Sequence, residues 1–195
     1  SKSAQFHRLG EAFRIRRTNG AFNYFGLEKV WRNMQTGLNG AYQIDNAALV
    51  LASCEILNKK NLDLALQHIK DGLLQNRWPG RLEMVSESPL ILLDGAHNFI
   101  AARNLAGYLS ENLSDRNITL VIGILDDKPC APMLKSLVPL CSKVILTRPK
   151  IDRALPPEKL YPIAKEMVSD IHIIPDVDKA VIHAIETASP RDAIC

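Results

Sequence analysis

The sequence predicts an α/β protein built on an open, mostly parallel sheet with helices on both faces, preceded by a β-hairpin and two helices. Three observations carry that reading. After residue 80, short apolar runs alternate with stretches of helical period, the grammar of repeated βα units. Leu90-Ile91-Leu92-Leu93 is apolar at every position, as befits a strand covered on both faces, and it breaks at once into Asp94-Gly95-Ala96-His97-Asn98. Near the start, Asn19-Gly20 divides two strand-like runs, and this dipeptide tolerates the positive φ of a tight hairpin.

The elements follow in order. Ala12-Phe13-Arg14-Ile15-Arg16-Arg17 alternates apolar and basic side chains, and Ala21-Phe22-Asn23-Tyr24-Phe25 answers it across the turn. A third strand fits within residues 27–38, where Trp31 and Met34 read as core. Ala47, Val50, Leu51, Cys54 and Leu57 then fall at helical spacing, with Ala48 and Ala52 adding propensity. Asn58-Lys59-Lys60-Asn61 interrupts the period, and Asn61 is the expected N-cap of a second helix bearing Leu62, Ala65, Leu66, Ile69 and Leu73. Arg77-Trp78-Pro79-Gly80 stops it. Beyond lie expected strands at residues 81–85, 90–93, 118–124, 143–147 and 171–174, and expected helices at 98–112, 132–140, 157–169 and 177–188. Pro157 suits a first helical turn, where its missing N–H costs nothing. The second region reads as a complete open sheet short of one strand beyond Ala193-Ile194-Cys195.

Composition narrows the function. The chain has 195 residues, enough for one large or two small domains, and its 47% apolar and 23% charged residues are ordinary globular values. A net charge of +3, with basic residues spread along the chain, leaves no footprint for nucleic acid. No apolar run reaches membrane-spanning length. The four cysteines form no Cys-x-x-Cys and no zinc spacing, so Cys54 and Cys141 read as buried free thiols. Without a signal-peptide profile, the expected location is cytoplasmic.

Open α/β sheets take their ligands at the carboxyl ends of the strands. At that position Asp94 offers a carboxylate to sugar hydroxyls and Arg81 a guanidinium to phosphates. His97 stands just before a helix start whose positive end favours anions. On spacing alone, an Asp-Gly turn, an Asn cap and a solvated arginine account for the same residues. No Gly-x-Gly-x-x-Gly follows an early strand, which sets aside a nicotinamide oxidoreductase.

Five segments in order are more specific. They are Gly40-Ala41-Tyr42-Gln43-Ile44-Asp45-Asn46-Ala47, Trp78-Pro79-Gly80-Arg81-Leu82-Glu83, Asp94-Gly95-Ala96-His97-Asn98, Gly123-Ile124-Leu125-Asp126-Asp127-Lys128 and Arg153-Ala154-Leu155-Pro156. Together they resemble the folylpolyglutamate synthase and dihydrofolate synthase family, ATP-dependent amide ligases related to the Mur ligases of cell-wall synthesis. The resemblance implies a Rossmann-like sheet of the Mur-ligase C-terminal type in residues 78–195, with residues 1–77 as the C-terminal part of a central ATP-binding domain. It implies that Asn46 holds the adenine of ATP, Arg81 its phosphates and Asp94 its ribose. His97 becomes the catalytic candidate beside the phosphates and the incoming glutamate, and Asp126 and Lys128 stand on the substrate side. No metal ligand is assigned in this chain.

The implied reaction phosphorylates a carboxylate of folate or dihydropteroate with ATP and Mg²⁺, and the amine of L-glutamate then attacks. Two departures from the family pattern are visible: Tyr42 stands where His is usual, and Phe99 where Pro is usual. Gly-x-x-x-x-Gly-Lys-Ser/Thr is absent, so the chain is expected to be a C-terminal fragment of a monomeric parent. Its missing N-terminal domain would carry the phosphate loop and most metal ligands, leaving the fragment inactive alone. Two alternatives stand beside this reading. One is another Mur-type ligase acting on a nucleotide-sugar peptide; the other is a non-catalytic nucleotide-binding or interaction domain.

Overall fold

A computed structural model describes residues 5–195. The chain forms two compact units that meet in sequence between Trp78 and Pro79. In the first, strands β1 (Arg14–Thr18), β2 (Ala21–Phe25) and β3 (Val30–Met34) make an antiparallel sheet in that order. Thr18 pairs with Ala21 across the expected turn, and Gly20 supplies its positive φ of 69°. Alternation turns Phe22 and Tyr24 inward on β2, and on β3 the left-handed Asn33, φ 53°, breaks the alternation so that Trp31 and Met34 share the inner face. Phe22, Tyr24, Trp31 and Met34 pack onto helices α1 (Ala41–Lys59) and α2 (Leu66–Gln75) through Ala47, Ala48, Leu51, Ala52, Ile69 and Leu73.

Asn61 does not cap α2. It takes a left-handed turn at φ 65°, and the helix starts later, after Ala65. The intervening loop is held instead by the Asn58 side chain, which accepts from Leu64 N–H at 2.6 Å and donates to Leu64 O at 3.0 Å. Cys54 is half-buried rather than buried, whereas Cys141 is in the core.

The second unit holds a six-stranded sheet. Strand β4 (Glu83–Glu87) runs antiparallel to β5 (Leu90–Leu93). Helix α3 (Phe99–Asn112), β6 (Ile118–Ile122), α4 (Cys130–Leu137) and a 3₁₀ turn (Val138–Leu140) follow. Then come β7 (Lys143–Leu146), α5 (Pro157–Ala164), β8 (Asp170–Ile173), α6 (Val177–Thr187) and β9 (Ala193–Ile194). The spatial order is β4-β5-β9-β6-β7-β8, all parallel apart from β4. Register places Val121 beside Ile145, and Ala180 and Ala184 of α6 pack on that face with Ile91 and Ile194. Leu90, Leu92, Leu120, Val144 and Leu146 are buried on the other face. This is the expected open, mostly parallel fold with flanking helices.

Three differences have physical causes. The first strand starts at Glu83, not residue 81, because Gly80 and Leu82 have φ of 67° and 47° and turn the chain there. Helix α5 ends at Ala164 instead of 169, because the chain tightens into a turn there, with the Met167 and Val168 N–H groups both donating to Ala164 O. The final strand is Ala193–Ile194 itself, inserted at the sheet centre between β5 and β6. Among the described residues, no helix is long and apolar enough to cross a membrane.

Candidate functional site

The site is assembled where β5 ends. Asp94 follows its last residue, and its Oδ2 accepts the Leu82 N–H at 3.1 Å. Gly95 N–H donates to Gly80 O at 2.7 Å, and Gly80 N–H donates to Glu83 Oε2 at 2.7 Å. Two loops distant in sequence are thereby closed on each other. Leu82 anchors the clasp, fully buried at 0% exposure despite its left-handed backbone. Asn98 then starts α3, its side chain accepting from Ala101 N–H at 2.9 Å, as a good N-cap does.

His97 is exposed, with Nδ1 2.9 Å from Gly95 O. A carbonyl can only accept, so Nδ1 carries the proton of this contact, and in the neutral ring the lone pair is at Nε2. Burial pushes the Asp94 carboxyl above its ordinary range. The N–H groups of Leu82 and Ala96, and the charges of Arg81 and His97, oppose this only in part. Thus Arg81 and His97 both lie within electrostatic reach of Asp94, just ahead of the start of α3.

A cleft of about 420 Å³ opens along the same carboxyl edge. Gly80, Asp94, Gly95, Gly123, Thr147 and Pro149 contribute to its lining. Gly123 is required by close approach, since a Cβ there would stand 2.5 Å from Pro149 Cδ and 3.0 Å from Thr147 O. Cys195 also lines the cleft. Burial, then Asp94 and Cys141, push its thiol up to about 12, which keeps it protonated.

On the loop after β6, Asp126 is exposed and its N–H donates to Arg153 O at 2.9 Å. The hub of that loop is Asp127, which Lys128 meets at 2.8 Å and Arg153 at 3.3 Å. The Lys128 hydrogen bond is the main reason Asp127 sits below the usual carboxylate range. Asn46 belongs to the first unit, exposed on α1, with Nδ2 donating to Gln43 Oε1 at 2.9 Å.

Sequence reading passed over Glu83 and Asp127 as functional positions, although both lie inside the quoted motifs. It also passed over Glu55, a mid-helix acid on an otherwise apolar stripe, which was the available signal. Among the described residues, no three His, Cys, Asp or Glu side chains stand close enough to hold a metal ion.

Residues 80–195 match the family model described as Mur ligase, glutamate ligase domain. The dihydrofolate synthase/folylpolyglutamate synthase of Bacillus subtilis is 34% identical over 141 residues, 72% of this chain and 33% of that protein. The folylpolyglutamate synthase of Lacticaseibacillus casei is 34% identical over 155 residues, 78% of this chain and 34% of that protein. Among solved structures, Mycobacterium tuberculosis folylpolyglutamate synthase complexed with ADP superposes with a TM-score of 0.85 at 27% identity, covering 96% of this chain and 45% of that one. Escherichia coli FolC in complex with DHPP and ADP gives 0.84 at 26%, covering 96% and 43%. The chain thus spans about a third of the length of these curated relatives.

Proposed function

This chain belongs to the Mur ligase family through its glutamate ligase domain, and on that premise we propose that it is part of an ATP-dependent acid–amino-acid ligase joining L-glutamate to a folate or dihydropteroate. Residues 78–195 are then the C-terminal ligase domain, and residues 1–77 the end of the central ATP-binding domain. The observation that carries the reading is the gathering of Arg81, Asp94 and His97 at the carboxyl edge of β5, next to the start of α3. A cation, a carboxylate and an imidazole at that edge suit a nucleotide.

In the proposed reaction a carboxylate oxygen of the acceptor attacks the γ-phosphorus of ATP and ADP leaves. The glutamate amine then attacks the acyl carbon, and phosphate departs with the bonding electrons. Arg81 holds phosphate oxygens, and its planar fork matches them. Asp94 accepts from ribose hydroxyls; the backbone contact to Leu82 N–H leaves lone-pair sites for this. The His97 tautomer fixed by Gly95 O directs a lone pair at Nε2, suited to accepting a proton from the attacking amine. Asn46 takes the adenine edge. Asp126 and Lys128 are assigned to the substrate side, with the Lys128 charge tempered by Asp127.

Solved relatives include complexes with ADP and with AMPPNP and Mn ion. A divalent ion, proposed as Mg²⁺, neutralises phosphate charge in such chemistry. Most of its ligands are assigned, as the family resemblance implies, to parts of the protein outside this chain. A cytoplasmic, monomeric enzyme is part of the same proposal. The test is the complete protein supplied with ATP, L-glutamate and either dihydropteroate or tetrahydrofolate. ADP release and a glutamylated product, both dependent on the pterin acceptor, are expected. Turnover only with a nucleotide-sugar peptide would replace this reading with that of another Mur-type ligase.

A further inference from the structure

We infer that Glu83 is a positioning residue for this reaction: by holding the Gly80 amide, its carboxylate sets where Arg81 presents its guanidinium. The inference rests on the phosphate-binding role proposed for Arg81. Arg81 lies between two residues with left-handed backbones, Gly80 at φ 67° and Leu82 at φ 47°. Glycine adopts that region without cost, but leucine does not, so the turn needs external support.

Support comes from two sides. Asp94 Oδ2 accepts from Leu82 N–H at 3.1 Å, and Glu83 Oε2 accepts from Gly80 N–H at 2.7 Å. Gly80 O in turn receives Gly95 N–H at 2.7 Å, so Gly80 is held through both its N–H and its carbonyl. Glu83 is itself fixed, because it opens β4 opposite Leu93 in the ladder. Its carboxylate therefore transmits the position of the sheet to the loop. What the turn needs from this side chain is an acceptor oxygen at that reach, 2.7 Å from the Gly80 nitrogen. Holding a ligand-contacting side chain through a partner on a rigid strand is how sites keep the sub-ångström placement that turnover demands.

Two conservative variants of the complete protein separate positioning from mere stability. Glu83→Asp keeps the charge but is one methylene too short to reach the Gly80 amide. It is expected to raise KM for ATP about tenfold, with kcat within about threefold of the parent and an almost unchanged Tm. Glu83→Gln keeps an acceptor oxygen at the original reach and should stay within about threefold of the parent KM. A parent-like KM in Glu83→Asp, or equal impairment of Glu83→Gln and Glu83→Asp, overturns the inference. Arg81→Ala, assayed in parallel, tells the two levels apart. If it leaves KM for ATP unchanged, the phosphate role of Arg81 fails. If it is impaired while Glu83→Asp is not, only the positioning role fails.

Discussion

Glu55 stays charged at 3% exposure because four donors meet it: Tyr24 O–H at 2.6 Å and the N–H groups of Leu27, Glu28 and Lys29 at 2.8, 3.0 and 2.6 Å. Burial alone would push its carboxyl up, but these bonds hold it below the ordinary range. The same burial and the adjacent carboxylate push the Tyr24 hydroxyl well above its own. A lowered folded value means that the unfolded state takes up the proton first as pH falls. The stabilisation is therefore complete above the ordinary glutamate value and is lost as pH drops through the folded one. Glu55→Gln should cost about 2 kcal/mol near neutrality, and urea denaturation from pH 7 downward should show the gap to the parent closing. A gap independent of pH would contradict the charged arrangement. Asp94 has the opposite sign. Its value is raised, so its contribution is present below the unfolded value and declines as pH rises through the folded one. Arg81 should behave as a functional residue rather than a structural one. In the complete protein, Arg81→Ala is expected to cost about 2–4 kcal/mol of transition-state stabilisation, with lysine restoring little. Near-normal kcat/KM for ATP in that variant, at an unchanged Tm, would remove Arg81 from the site.

At the scale of elements, local chemistry explains most boundaries. Asn19-Gly20 turns the hairpin, Asn98 caps α3 and Pro157 opens α5, each through a preference expressed within a few residues. Asn61 shows the limit of such reasoning. Its type fits a cap, yet the tie from Asn58 to Leu64 holds the loop open and the helix starts later. The loops after β6 and β7 are coupled by contact, with Gly123 facing Pro149 and Thr147. Gly123→Ala should destabilise the second unit by about 1–3 kcal/mol through overpacking, read as a lower denaturation midpoint with an unchanged m-value. Unaltered stability would mean that these loops separate more easily than their packing implies.

Across the whole molecule, the phosphate loop of the proposed chemistry does not occur in these 195 residues. The isolated chain is therefore expected to incorporate no glutamate with ATP and a folate, even where weak nucleotide binding is detectable. Turnover by the purified chain would contradict the proposed division of the ATP site. The sequence by itself determined the fold class, the hairpin, the buried strand Leu90–Leu93 and the nearness of Asp94 and His97 to a strand end. Those features are written in periodicity and turn residues only a few positions apart. Tertiary structure alone decided that Ala193–Ile194 fills the centre of the sheet, between strands remote from it in sequence. It likewise decided that Glu55 gathers the 27–29 turn, that Asp127 rather than its neighbours is the hub of its loop, and that the loops around Gly80 and Gly95 lock together. Each of these is a hydrogen bond, ion pair or strand pairing whose partner is chosen by the packed chain. Local propensity names the residues able to make such contacts, but only the folded backbone brings their partners within reach.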